Sequence, residues 1–213
     1  MTKKERLHKK KHDTRIRKYE KKYPWFSVYS YRGTRRNHII NNKNNPLKFE
    51  KYCALCEFPP AWFRTFGDMM LKELNDVIKR DNLKHFNVQQ IKSKYAELCF
   101  YVGGFNEETQ RIINKYGYLS RNICEICGRP DSPIIRGGWI VVMCRKCYEK
   151  NKWYKTPYDN VADLSDSRMC DSYTIRRFNK DDGETEITYD ISDTADLIRN
   201  RWNSRHKVVK GGD

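Results

Sequence analysis

Two Cys-x-x-Cys pairs, Cys124 with Cys127 and Cys144 with Cys147, constrain the fold of this chain more than any other feature. Sixteen residues separate the pairs, a spacing at which four thiolates can close a tetrahedron around one Zn²⁺. The glycine after the first pair, Gly128, permits the left-handed backbone that turns amide N–H groups toward the sulfurs. We therefore predict a zinc ribbon with one structural ion and no coordination position left open for catalysis.

The residues between the two pairs favour a β-hairpin. Ile134-Ile135 and the run from Trp139 to Met143 are short, apolar and rich in β-branched side chains. Gly137-Gly138 between them suits the positive φ values of a two-residue turn. Such a hairpin would return the second pair to the first. The alternative, four free or disulfide-bonded cysteines, explains the spacing less well.

The composition indicates a modest core that a metal helps to stabilise. Of 213 residues, 38% are hydrophobic and 33% are charged, and binding of a structural zinc contributes on the order of 10 kcal/mol to folding. Eight cysteines without a signal peptide or a transmembrane stretch favour a reducing, intracellular setting. We expect no membrane partner and a cytoplasmic location, which would be the host cytoplasm if a phage encodes the protein.

Positive charge is concentrated in the N-terminal arm, residues 1–49. The arm holds sixteen Lys/Arg and three Asp/Glu, whereas the net charge of the whole chain is +16. Such asymmetry is typical of a protein with a polyanionic partner, on which the arm would become ordered. The alternative is a solvated tail that keeps the protein soluble. The candidate phosphate contacts are Lys9, Lys10, Lys11, Arg15, Arg17, Arg35 and Arg36.

An aromatic stretch follows the most basic part of the arm. Residues 23–31 contain five aromatic side chains beside several arginines, a combination suited to base stacking with phosphate contacts. A slightly favoured alternative is that Trp25, Phe26 and Val28 fold back onto the globular part as an edge strand.

A third Cys-x-x-Cys pair, Cys53 with Cys56, would need two more ligands to bind a second zinc ion. The candidates are Cys99, Cys170, His85 and His38. The default for unpaired thiols is burial in the core, and Cys99 lies within an alternating strand pattern.

Hydrophobic periodicity predicts an α+β fold consisting of a helix, a β-hairpin, a helix and a zinc ribbon, with an extended basic N-terminal arm and a C-terminal hairpin plus helix. The expected domains are the arm (1–49), an α+β core (50–121), the zinc ribbon (122–153) and a linker with the C-terminal hairpin and helix (154–213). The expected elements are a helix over 59–80, strands over 86–92 and 97–102 with a turn at 93–96, a helix capped by Asn106, a polar linker over 155–166, strands over 172–178 and 184–191, and a last helix capped by Asp193.

Several of these motifs together resemble a small family of uncharacterised bacterial and bacteriophage proteins. They are Trp62, the run from Gln90 to Gly104, the Cys-x-x-Cys-Gly motif and Gly-Gly-Trp, and the resemblance covers about residues 52–147. Members of that family often have a histidine where this chain has Cys147, so the ligand set differs here. The resemblance implies a helix, hairpin, helix and ribbon unit, and no established activity.

No convincing catalytic constellation is present in the sequence. The five histidines are scattered, and residues 128–143 contain only Asp131 as a nuclease-type ligand. The leading hypothesis is a non-enzymatic zinc-ribbon protein that binds DNA, RNA or a nucleoprotein machine such as polymerase or ribosome through its basic arm. The alternatives are a phage-encoded protein-binding adaptor or inhibitor of a host enzyme and, less favoured, a metal-dependent nuclease.

Overall fold

The computed structural model describes residues 14, 18–19, 21–26, 58–151, 155–165, 167–179 and 183–206. These residues form an α+β fold, as predicted. In chain order the elements are a 3-10 turn (Pro24–Phe26), α1 (Pro60–Trp62), a π-helical turn (Phe63–Gly67), α2 (Asp68–Arg80), β1 (Asn87–Lys94), β2 (Glu97–Gly103), α3 (Glu107–Ser120), β3 (Ile134–Gly137), β4 (Trp139–Val142), α4 (Arg145–Lys150), a second 3-10 turn (Tyr158–Asn160), β5 (Ala162–Asp163), β6 (Ser172–Asn179), β7 (Gly183–Asp190) and α5 (Ser192–Arg205). None of the described helices combines the length and the hydrophobicity needed to cross a bilayer.

The strands of the described residues form three small sheets, β1 with β2, β4-β3-β5, and β6 with β7. In the second sheet, Ile135 pairs with Val141 on one side and with Ala162 on the other, both antiparallel. The third strand, β5, comes from the segment that we predicted to be a polar linker. Its two residues are too few to show an alternating pattern in the sequence.

The first long helical segment matches the predicted range and is interrupted by a π-helical turn. Apolar residues recur in it at spacings of three and four, and all of them are buried: Phe63, Phe66, Met70, Leu74 and Val77. A Cβ added to Gly67 would lie 2.5 Å from a ring carbon of Phe63. The glycine thus lets the Phe63 ring lie flat against the wide turn, which helix periodicity alone does not reveal.

Cα proximity divides the chain into two compact units. The first contains the described residues up to Phe58, together with Leu71–Lys92 and Cys99–Gln110. Its core is aromatic, because the ring of Phe100 lies 6.4 Å from that of Phe26 and 6.2 Å from that of Phe58.

The aromatic residues at the end of the N-terminal arm pack into this first unit. Trp25 meets the ring of Phe86 edge-on at 5.2 Å, and its indole nitrogen lies 3.4 Å from Oδ1 of Asn75. Trp25 and Phe26 therefore fold back onto the globular part, but in a 3-10 turn and not in an edge strand. Val28 lies outside the described residues.

The second unit contains Pro59–Met70, Ser93–Leu98 and the described residues from Arg111 onward. The C-terminal hairpin packs on α3 within it: the ring of Tyr173 stacks on that of Tyr118 at 4.8 Å, and its hydroxyl donates to the carbonyl oxygen of Arg111 at 2.9 Å. The C-terminal hairpin is therefore packed against the rest of the second unit.

Three local predictions differ from the structure. Helix α5 begins at Ser192, whose N–H donates to the Asp190 carboxylate at 2.9 Å, so Asp193 is not the cap. The turn of the ribbon hairpin is centred on Gly138 alone, with φ +109°, since Gly137 already pairs with Trp139. Strand β1 continues to Lys94, which shortens the predicted turn to two residues.

Candidate metal centre

The four cysteines of the predicted ribbon meet at one point in the second unit. The Sγ atoms of Cys124, Cys127, Cys144 and Cys147 all lie within 4.8 Å of one another, and none of the four is in a disulfide. The Sγ atoms of Cys127 and Cys144 are 3.8 Å apart. A regular tetrahedron with Zn–S bonds of about 2.3 Å has edges of about 3.8 Å, so the four thiols fit a structural zinc site.

The first pair sits in a turn stabilised by backbone hydrogen bonds. The N–H of Cys124 donates to the carbonyl oxygen of Arg129, and the N–H of Gly128 donates to that of Cys124, both at 2.8 Å. Gly128 has φ +87°, the left-handed conformation predicted from its position. The backbone N–H of Arg129 acts to lower the pKa of Cys127, in the direction of the thiolate that a metal requires.

The second pair lies at the start of α4. Cys144 is the extended residue before the helix, with φ −70° and ψ 154°. The N–H of Cys147 donates to the carbonyl oxygen of Cys144 at 3.0 Å. The same N–H acts to lower the pKa of the Cys144 thiol.

The proximity of the thiols makes their ionisation unequal. Hydrogen bonds from Cys124 and Cys127 lower the pKa of Cys144 to about 2. The same kind of contact, from Cys124 and then Cys144, raises the pKa of Cys127, while burial raises the pKa of Cys147 to about 12. Four thiolates this close repel one another unless a cation lies between them, which is the charge balance that Zn²⁺ supplies.

An apolar shell covers the sulfurs on the side of the hairpin and α4. Two tyrosine rings in it, Tyr148 and Tyr158, meet edge-on at 5.4 Å, and the Arg145 guanidinium lies 4.6 Å from the Tyr158 ring centre. The buried members of the cluster are Cys124, Ile135, Met143, Cys144, Tyr148 and Tyr158. The shell limits access of water to the sulfurs, which favours a structural role for the metal.

Glu125 connects three parts of the second unit: the metal turn (residues 123–129), strand β4 and the β1–β2 turn. Its N–H donates to the carbonyl oxygen of Val142 at 2.9 Å, and its carboxylate accepts the N–H of Val142 at 3.1 Å. Ser93, beside the β1–β2 turn, lies next to the same carboxylate and acts to lower its pKa, against the larger effect of burial, which raises it. We did not predict this role, for which the sequence holds one signal, an acidic residue placed inside a metal-binding pair.

The first helical segment is hydrogen-bonded to the metal turn. The indole N–H of Trp62 donates to the carbonyl oxygen of Ile123 at 2.7 Å, in a fully buried contact. The hydroxyl of Thr65 lies 3.4 Å from the carbonyl oxygen of Gly128, and a Cβ on Gly128 would overlap that hydroxyl. The turn therefore has no room for a side chain at Gly128.

Several predicted site residues lie outside the part of the chain that the structure describes. They include the third pair, Cys53 and Cys56, as well as His38. The same holds for the candidate phosphate contacts Lys9, Lys10, Lys11, Arg15, Arg17, Arg35 and Arg36. Among the described thiols, Cys99 and Cys170 do not belong to the four-cysteine cluster.

The one acidic residue between the metal pairs has structural contacts. Asp131 has φ +51°, and its carboxylate accepts the N–H of Met169 at 2.9 Å. The guanidinium of Arg199, only 19% exposed, lies 3.3 Å from the same carboxylate. These contacts attach the segment before β6 and helix α5 to the ribbon.

The comparisons with known proteins assign the chain to no group. The resemblance to the bacterial and bacteriophage family described above therefore stays a prediction. No protein-family model matches the chain, and no curated protein or solved structure matches it either.

Proposed function

We propose that this protein is a non-enzymatic zinc-ribbon protein that binds nucleic acid, or a nucleoprotein machine such as polymerase or ribosome, through its basic N-terminal arm. The observation that carries the proposal is the closed set of four thiols, within 4.8 Å of one another. Such a set fills the coordination of zinc and leaves no position for a reacting water, so the metal serves as a scaffold.

The charge distribution supports a polyanionic partner. Residues 1–49 carry sixteen of the 43 Lys/Arg and only three of the 27 Asp/Glu. The cations of the ribbon that lie near β5 and α4 are already engaged, since Arg136 pairs with Asp163 and Arg145 with Asp159. The arm therefore has the larger excess of positive charge for phosphate contacts. The described cysteines form no disulfides, which supports a reducing compartment, and the proposal includes a cytoplasmic location.

The test is binding of labelled DNA and RNA by fluorescence anisotropy over a range of salt concentrations. The variant replaces five arm cations by glutamine: Lys9, Lys10, Lys11, Arg15 and Arg17. Substitution is preferable to truncation, because Tyr23 is buried and its N–H donates to the carbonyl oxygen of Tyr19. A matched control removes the same charge from exposed positions elsewhere: Lys79, Lys84, Lys146, Lys150 and Lys155.

The proposal predicts that log affinity falls linearly with log salt concentration for the wild-type protein. The arm variant should lower the magnitude of the slope by roughly 0.7 to 0.9 for each phosphate that the substituted side chains no longer neutralise, and the control should change it less. Equal slopes for the wild-type protein and the arm variant would contradict the role of the arm. A protein partner that stays bound after nuclease digestion would favour the adaptor alternative.

A further inference from the structure

Two aromatic side chains of the second unit are exposed to solvent at the tips of hairpins. Trp139 is 84% exposed and Tyr95 is 70% exposed, the two highest values among the described large hydrophobic residues. Trp139 follows Gly138, around which no atom lies within 4 Å of an added Cβ. An indole this exposed contributes little to the core, so packing does not explain the presence of a tryptophan.

The two hairpins are joined through one carboxylate. The Glu125 carboxylate accepts the N–H of Val142 at the base of the ribbon hairpin, and Ser93, two residues before Tyr95, lies beside the same carboxylate. Trp139 lies three residues from Val142, which corresponds to about 10 Å of strand. The metal turn thus contacts the strands that lead to both aromatic tips.

The β1–β2 turn, the metal turn and the tip of the ribbon hairpin carry exposed positive side chains. They include Lys94, whose ammonium lies 4.9 Å from the centre of the Tyr95 ring, and the exposed Arg129. Two acids nearby have partners, since the Glu125 carboxylate accepts the N–H of Val142 and Asp131 pairs with Arg199. Exposed aromatic faces beside cations suit a ligand with flat apolar groups and negative charge.

We propose that Tyr95 and Trp139, with Lys94 and Arg129, form a stacking surface for the unpaired bases of a single-stranded polynucleotide. Aromatic side chains can stack only on bases that are not already stacked within a duplex, and cations beside them contact the phosphates. The inference rests on the proposed function and adds to it a preference for single strands. The basic arm would supply affinity that does not depend on strandedness.

The experiment measures binding of a fluorescein-labelled 12-nucleotide oligothymidylate, of the matching oligouridylate, and of a 12-base-pair DNA duplex, all at one salt concentration. The variants of the full chain are Trp139→Ala, Trp139→Phe and Tyr95→Asn. Leu197→Ala is the matched control, because Leu197 is also an exposed apolar residue, at 44%, but lies on α5. Zinc content per chain checks that each variant keeps its metal centre.

The stacking surface predicts tighter binding of a single strand than of the duplex. Trp139→Ala should weaken single-strand binding by roughly 5- to 150-fold, the range for removal of one base–aromatic stack. Binding of the duplex should stay unchanged, Trp139→Phe should retain most of the affinity, and Leu197→Ala should match the wild-type protein. Quenching of tryptophan fluorescence by the oligonucleotide should disappear in Trp139→Ala. The tighter-binding probe, oligothymidylate or oligouridylate, shows whether the single-stranded ligand is DNA or RNA.

The opposite results separate the two proposals. If the wild-type protein binds duplex and single strands with a steep salt dependence, but Trp139→Ala and Tyr95→Asn bind the single strands as well as it does, the stacking surface is wrong and the basic arm stands. If the wild-type protein binds none of the three probes even at low salt, both proposals are wrong.

Discussion

The indole nitrogen of Trp62 donates a 2.7 Å hydrogen bond to the carbonyl oxygen of Ile123, the residue immediately before the first candidate metal ligand. Both residues are fully buried. The bond joins a helical segment to a metal turn 61 positions further along the chain. It therefore makes the position of the metal turn depend on the packing of the helix, within the same compact unit.

Trp62→Phe should lower the free energy of unfolding by about 2–4 kcal/mol, because it removes a buried hydrogen bond and leaves a cavity. Urea denaturation of the zinc-loaded protein measures the decrease. Trp139→Phe is the matched control and should change stability by less than about 0.5 kcal/mol, since Trp139 is 84% exposed. Equal effects of the two substitutions would contradict the role given to Trp62.

Gly128→Ala should destabilise the protein more than Gly138→Ala. Both glycines have positive φ, +87° and +109°, and alanine in this region costs about 1–2 kcal/mol. Only at Gly128 would the added Cβ also overlap a neighbour, the Thr65 hydroxyl. Thr65→Ala in the Gly128→Ala background should restore part of the stability, as measured by a double-mutant cycle in urea. Independent effects of the two substitutions would show that the overlap is not the cause.

Tyr95→Asn should stabilise the protein while weakening the proposed single-strand binding. Tyr95 and Ala96 form a two-residue turn with φ values of 53° and 66°, a conformation that a bulky residue rarely adopts and that asparagine tolerates well. We expect a gain of up to about 1 kcal/mol in the free energy of unfolding. Thermal or urea denaturation measures it. A decrease in stability would mean that the Tyr95 ring is held by packing, in conflict with its exposure.

Glu97→Gln should stabilise the protein at neutral pH. Burial raises the pKa of Glu97 above its ordinary value of 4.5, and Arg121 only partly opposes the shift. Because the folded state holds this proton more tightly than the unfolded state, stability falls as pH rises from about 4.5 through the raised pKa. The variant lacks this decline, so its advantage over the wild-type protein should be largest at pH 7.5 and shrink as the pH is lowered. An advantage that is independent of pH would contradict this assignment.

The metal centre is the part of the molecule that the sequence predicts best. Two cysteine pairs at this spacing have few ways to fold other than around one metal, and the left-handed Gly128 follows from the same turn. The sequence also predicts the helix that contains Phe63 and Val77, because a helix with one buried face has apolar residues at regular spacings of three and four.

The contacts that position the metal centre have no recognisable pattern in the sequence. Strand β5 has two residues, Ala162–Asp163, and its pairing with β3 depends on backbone hydrogen bonds that any residue can make. The carboxylate of Glu125 accepts the N–H of Val142 and lies beside Ser93, two residues distant in sequence that only the folded chain brings near it. The exposed position of Trp139 was not predicted either, since it lies in an apolar run that also suits a buried strand, whereas Tyr95 lies in the predicted turn.

The most direct test of the central claim is the zinc content of the purified full-length protein, measured by mass spectrometry of the metal. The four clustered thiols predict that Cys144→Ser loses one zinc ion per chain relative to the wild-type protein, whereas Cys99→Ser, a half-buried cysteine outside the cluster, loses none. A wild-type protein that folds without bound metal, or a Cys144→Ser variant with undiminished zinc content, would contradict the account.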